Sequence, residues 1–194
     1  MNRHIKRLPL AAGAIFLINA VICVSRAWIS GEHRFDLGIS FSGYVGMTRA
    51  MSVMYFVSAL IMIPLLAVYI AKTKLPVIKR VVYAAVFFGI SGAAFFPFNT
   101  YSENPTAVTI DLHNCFAEGL MVAVTVSFIL SAALTKHRGQ RIAALLSLVY
   151  AVVFVILFCM GFNPLFAAFF IWENLFIFLL LLGLHMEQYG AEQE

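Results

Sequence analysis

The chain has 194 residues, 62% of them hydrophobic and 11% charged, with a formal net charge of +4. Soluble globular domains run nearer half apolar and a quarter charged, so an ordinary soluble domain is excluded at the outset. A mean hydropathy of +0.94 agrees, the length fits one domain over 1–194, and the placing of the charge says more than its size.

Apolar runs follow one another along the chain. They cover 8–28, 44–71, 81–96, 111–134, 142–161 and 165–184. Most have about 20 residues, enough to cross a hydrocarbon core of about 30 Å as a helix. Backbone polar groups in lipid must be satisfied within the segment, so the runs are read as helices. The expected fold is all-α: a polytopic membrane protein with six transmembrane helices in one bundle.

The first run follows Arg3, Lys6 and Arg7 and carries Asn19, a candidate interhelical hydrogen bonder. Ser25-Arg26-Ala27 near its end also resembles a signal-peptide cleavage pattern. The topology of the rest would not change if this segment were cleaved. A long connection over 29–43 carries Glu32, Arg34 and Asp36. Arg49 then falls about 7 Å into the second run. Lys72, Lys74, Lys79 and Arg80 precede the third run, which ends at Phe96-Pro97. A second long connection, 97–110, carries Glu103. Long connections in compact domains are often functional.

The fourth run opens with "DLHNCFAEG". Asp111 at its mouth suits a helix N-cap. Asp111, Asn114, Cys115 and Glu118 share one helical face by their spacing. Glu118 falls about 10 Å in. His113 lies about 200° around the helix from both Asp111 and Cys115, so His113 and Cys115 cannot act as a base–nucleophile pair. Lys136, Arg138 and Arg141, with His137, separate the fourth and fifth runs. Asn163-Pro164 reads as an N-cap and first-turn proline closing a tight hairpin into the sixth run. That run places Trp172 near its start, Glu173 about 12 Å in and His185 at its far end.

Ten of the thirteen Lys and Arg residues flank the same set of helix ends. That side is the expected cytoplasmic side, with both termini on it, in the membrane of a cell. Cations tied to inner loops do not make a nucleic-acid site, so the expected partner is the bilayer. No glycine-rich phosphate loop, zinc spacing or haem-attachment motif appears, and the sequence leaves the cofactor and metal open. The three cysteines, Cys23, Cys115 and Cys159, suit buried small hydrophobes; one disulfide, such as Cys23 to Cys115, is the alternative.

Two carboxylates and one guanidinium at one depth are expected to turn inward and pair, because an ionised group in lipid costs a few kcal/mol or more. The expected site is a polar pocket open to the outside. Arg49, Glu118 and Glu173 line it, Asp111, His113 and Asn114 stand near its rim, and Trp172 helps to cover it. The alternative is a buried ion pair between Arg49 and one glutamate that only sets helix register.

"GISGAAFFPFN" followed by "DLHNCFAEG" resembles the signature of a bacterial six-helix membrane family catalogued as a domain of unknown function (DUF nine-nine-eight), related to DRAM-like and FRAG-like membrane proteins. The matching positions are Gly92, Phe96, Pro97, Leu112 and His113, and "FDLGISFSG" adds Asp36, Leu37 and Gly38. Asn99 stands where the family often has an acidic residue. The resemblance implies the fold and a polar outer site, and no known reaction.

Three functions fit these residues. The first is a binding or transport-associated membrane protein whose outer pocket takes a small polar or lipidic ligand. The second is an intramembrane enzyme, lipid-modifying or metal-dependent and hydrolytic, with His113 as base or metal ligand and Glu118 and Glu173 as acids. The third is a structural or immunity-type protein without a ligand. The topology is checked with reporter fusions: those at Gly31 and Asn104 are expected to report outside and one at Gly139 inside. An outside signal at Gly139 would overturn the orientation.

Overall fold

A computed structural model describes residues 3–29, 49–96, 107–160 and 169–190. The described residues are all-helical. A short turn, α1 (Arg3–Lys6), leads into α2 (Leu8–Ile29). Then come α3 (Arg49–Lys72), α4 (Val77–Phe95), α5 (Ala107–Leu134), α6 (Arg138–Cys159) and α7 (Phe169–Gly190). Asp36, Leu37, Gly38, Pro97, Asn99 and the Asn163-Pro164 hairpin lie outside the described residues.

Several helix ends differ from the apolar runs, for one physical reason. Polar and basic residues with long stems can lie along a helix while their heads reach water. Thus α4 starts at Val77, directly after Pro76, and takes Lys79 and Arg80 into its first turns. Pro76 is extended (φ −51°, ψ 145°), and its carbonyl accepts from the Arg80 N–H at 3.1 Å, closing the first turn. In the same way α6 starts at Arg138, not 142, so that Gln140 and Arg141 are helical. α5 starts at Ala107, four residues before Asp111. Asp111 is therefore inside the helix and is not its N-cap. α7 runs on to Gly190 and includes His185.

Three segments are long and apolar enough to cross a membrane: Arg3–Cys23, Ala50–Lys72 and Asp111–Leu134. The distribution of side chains agrees. Val21, Phe88, Val122 and Leu146 are each more than 60% exposed, while Asn19, His113, Ser127, Gln140 and Ser147 are buried. An apolar outside around polar interior groups is the reverse of a water-soluble protein. Lipid chains are the solvent that suits it. The chain is a helical membrane protein.

Each long helix packs on the next, and α7 returns to α2. The interior is filled by Leu66 and Tyr69 of α3, Val86 of α4, Val124 of α5 and Leu181 and Leu184 of α7. Polar side chains bridge these helices. The Asn19 amide of α2 donates to the Ser58 hydroxyl of α3 at 2.7 Å and to its own Ile15 carbonyl at 2.9 Å, as its sequence position suggested. Such bonds in membranes are worth about 0.6 kcal/mol on average. The Tyr69 hydroxyl donates to the Leu184 carbonyl, and His185 Nδ1–H donates to the Lys6 carbonyl at 2.8 Å. The last two bonds tie the end of α7 to α3 and α1.

The most extensive contact joins α4 to α5, and glycine makes it possible. A Cβ on Gly89 would lie 2.8 Å from Leu120 Cβ and 3.0 Å from Leu120 Cα. A Cβ on Gly92 would overlap the Phe116 ring. Gly119, on α5, has nothing within 4 Å of the corresponding position. The three sites separate two effects. Replacing a mid-helix glycine by alanine gains up to about 1 kcal/mol of helix propensity. Overpacking against a neighbour costs about 1–3 kcal/mol, and the Leu120 backbone cannot yield as a side-chain tip can. Gly89→Ala is therefore expected to destabilise the detergent-solubilised protein by about 1–2 kcal/mol in denaturant titration. Gly119→Ala is expected to be neutral or slightly stabilising. Equal effects of the two would refute the close-packing account.

Candidate functional site

The end of the α4–α5 pair formed by the last turn of α4 and the first turns of α5 joins the two sequence stretches that drew attention. The residue before a proline is disfavoured in the α region, and α4 ends at Phe95, just ahead of Phe96-Pro97. The Phe96 N–H still closes on the Gly92 carbonyl at 2.9 Å. The Phe96 carbonyl is left beyond the helix end, and His113 of α5 supplies its donor at 2.6 Å from Nδ1. A carbonyl only accepts, so Nδ1 carries the proton. The Ala93 carbonyl also bonds the ring. His113 is only 4% exposed. Phe116, one turn on, stacks on Phe96 (centroids 5.7 Å apart, planes 5° apart) and meets Phe88 edge-on at 5.4 Å.

His113 thus serves α4 as a cap supplied from α5. It does not stand at the rim of a pocket with the acids. Asp111, Asn114, Cys115 and Glu118 are exposed. Asp111 and Glu118 are about 20° apart around α5, on the stripe of Val122 and Ile129, and Glu118 is about 140° from His113. The structure does not bring Glu118 to the buried face. Of the remaining expected pocket residues, Arg49 opens α3, and Trp172 and Glu173 lie in the first turn and a half of α7. Their side chains lie outside what is described. Among the described residues, no three His, Cys, Asp or Glu side chains gather as a metal set. The three thiols are unbridged.

Helix length explains how Glu118 tolerates that position. α5 has 28 residues, about 42 Å, against a core of about 30 Å. Twenty residues counted back from Leu134 reach Cys115. Asp111 and Asn114 then stand at headgroup level, and Glu118 is about one turn below it. The penalty that was expected to drive Glu118 inward is largely removed at that depth.

A second place was not foreseen from the sequence. Near the opposite ends of α5, α6 and α7 lies a small cleft that encloses about 50 Å³ and is open at its mouth. Ser127 and Ser131 of α5, Gln140 and Ser147 of α6, and Leu179 and Gly183 of α7 line it, and Tyr83 of α4 completes one wall. Gln140 is 4% exposed. Its Oε1 accepts from the Thr135 hydroxyl at 2.8 Å, and its Nε2 has no hydrogen-bond partner among the described residues. An unpaired buried donor costs about 1–3 kcal/mol, so this one calls for an explanation. Ser127 donates to the Val124 carbonyl at 2.6 Å and Ser147 to the Ala143 carbonyl at 2.9 Å. Their hydroxyl protons are engaged along their own helices, and their lone pairs remain. A Cβ on Gly183 would meet no atom within 4 Å, so the missing side chain leaves open space. The sequence signal was present, a serine every helical turn or so on facing helices, but Gln140 had been assigned to a loop.

The cap has a measurable consequence. His113→Ala leaves the Phe96 carbonyl without its donor and is expected to cost about 1–3 kcal/mol in the detergent-solubilised protein. His113→Gln is expected to recover part of that loss, since its amide can donate. If both variants unfold at the wild-type denaturant midpoint, His113 does not cap α4.

No family model, curated protein or solved structure matches the chain, so its function is argued from the residues and their geometry.

Proposed function

We propose that the chain is a six-span integral membrane protein with both termini on the cytoplasmic side, and that it holds a small lipidic ligand inside its bundle. On this reading it is a binding or transport-associated protein. Three helices qualify as spans by length and composition. α4, α6 and α7, of 19, 22 and 22 residues, extend the same packed set. The cations before α2, between α3 and α4 and between α5 and α6 put the loop ends at Lys72–Arg80 and Thr135–Arg141 on the cytoplasmic side. The cleft lies at that end.

The observation that carries the ligand is the cleft itself. The cleft encloses about 50 Å³, below the range of about 300–1,000 Å³ common to small-molecule sites, so it takes one part of a ligand through its open mouth. Such sites are mostly apolar with a few placed polar groups, and Gln140, Ser127, Ser131 and Ser147 are those groups here. Polar residues within spans cost free energy and tend to mark ligand paths. An enzyme reading finds less support: His113 is committed to a backbone carbonyl, and the acids of α5 lie on another face.

Native mass spectrometry of the full chain, purified from its membrane in mild detergent, tests this reading. A retained adduct of a few hundred daltons is expected on the wild type. Gly183→Leu adds a side chain where a Cβ meets no atom within 4 Å and is expected to lower adduct occupancy severalfold, with a denaturant titration checking that the variant is folded. A wild type without adduct, or equal occupancy in Gly183→Leu, would remove the cleft as the ligand site.

A further inference from the structure

We propose that the cleft takes a neutral single-chain lipid by the carbonyl oxygen of its ester or amide, with the Gln140 Nε2–H as the donor. The inference rests on the ligand-binding reading above and names the ligand class for the same site.

Among the described residues, the lining contains no Lys, Arg, His, Asp or Glu, so a phosphate, carboxylate or ammonium head would meet no counter-ion from them in a low-dielectric site, at a high desolvation cost. The lining also fixes the polarity of the ligand's hydrogen bond. Gln140 Oε1 is engaged by Thr135, and the Nε2 that remains binds only an acceptor.

The arrangement along the helices gives the ligand a direction. Gln140 lies two residues into α6, next to the loop, and Ser147 about 10 Å deeper. On α7, Met186 and Gly183 stand near the helix's inner end, and Leu179 stands about 10 Å from Met186. The ligand's polar end therefore sits at the Gln140 level, where membranes place headgroups. Its chain runs toward Leu179 and Leu180, past Phe128. The open space beside Gly183 is on that line. The enclosed space of about 50 Å³ suits the width of one chain and not two.

The experiment titrates the full chain, in phosphatidylcholine nanodiscs, with three probes of equal chain length: 1-monododecanoylglycerol, its ether analogue 1-O-dodecylglycerol, and dodecanoate. Native mass spectrometry reads occupancy. The wild type is expected to bind the ester about fivefold more tightly than the ether, the size of one net hydrogen bond, and dodecanoate least. Gln140→Leu is expected to abolish the ester preference while still binding the ether. If that variant does not fold, Gln140→Asn, one methylene shorter, is expected to reduce the preference instead. Equal binding of ester and ether by the wild type, a preference that survives in the Gln140 variants, or tighter binding of dodecanoate would overturn the proposal while leaving a ligand-binding cleft standing. Failure of the wild type to bind any of the three, with no adduct on the purified protein, would overturn the ligand-binding reading as well.

Discussion

Gly89 and Gly92 bring α4 against α5 so closely that the Leu120 backbone and the Phe116 ring occupy the places of their absent side chains. Between helices in lipid there is little hydrophobic drive, because the solvent is as apolar as the side chains. Close backbone approach and dense packing must supply the attraction instead. Once the two helices meet there, Phe116 stacks on Phe96 and His113 reaches the Phe96 carbonyl. The end of α4 and the polar first turns of α5 are then held at one joint. Neither motif could do this alone: the glycines need the rings, and the imidazole needs the carbonyl that the proline leaves free.

The rest of the bundle uses polar groups in a similar way. Asn19 with Ser58, Tyr69 with Leu184, and His185 with Lys6 each join two elements through a group that would be costly in lipid unpaired. These bonds are individually modest, but each is directional. Apolar contacts alone would let helices slide past one another, whereas a donor and acceptor in hydrocarbon meet in one register. The two bonds at the end of α7 hold it to α3 and α1 on one side. On the other side it borders the cleft with α5 and α6. Lined by serines and Gln140, the cleft leaves a buried amide donor without a hydrogen-bond partner among the described residues, as Asn19 leaves its Oδ1 and Arg80 its Nε.

The acids of α5 show how helix length changes an electrostatic argument. Counted from Asp111, Glu118 falls deep enough that its charge should be driven inward. In the structure the helix begins at Ala107 and is longer than the hydrocarbon core. Glu118 can then sit on an outer face near the boundary, at small cost, with no need for a buried partner. It is the count back from Leu134, at the other end of α5, that puts Glu118 about one turn inside a core of about 30 Å.

Much of the architecture was legible in the sequence, because the bilayer imposes a simple rule. Runs of about 20 apolar residues become helices when backbone groups have no water to bond to, and composition alone places them to within a turn. Asn19 could be picked as an interhelical bond for the same reason: an amide in such a run has few other places to go. The ends of the helices were less legible, since Lys79, Arg80, Gln140 and Arg141 look like loop residues yet extend their helices through long stems. Which face a residue takes was not legible at all. Asp111, His113 and Glu118 lie within eight positions of one another, and their spacing fixes only their angles around α5. Whether His113 or Glu118 turns inward is decided by what stands opposite. The two glycines of α4 and the carbonyl before Pro97 claim the His113 face. The cleft at Gln140, likewise, exists only because three helices leave a gap between serines that are far apart in the chain.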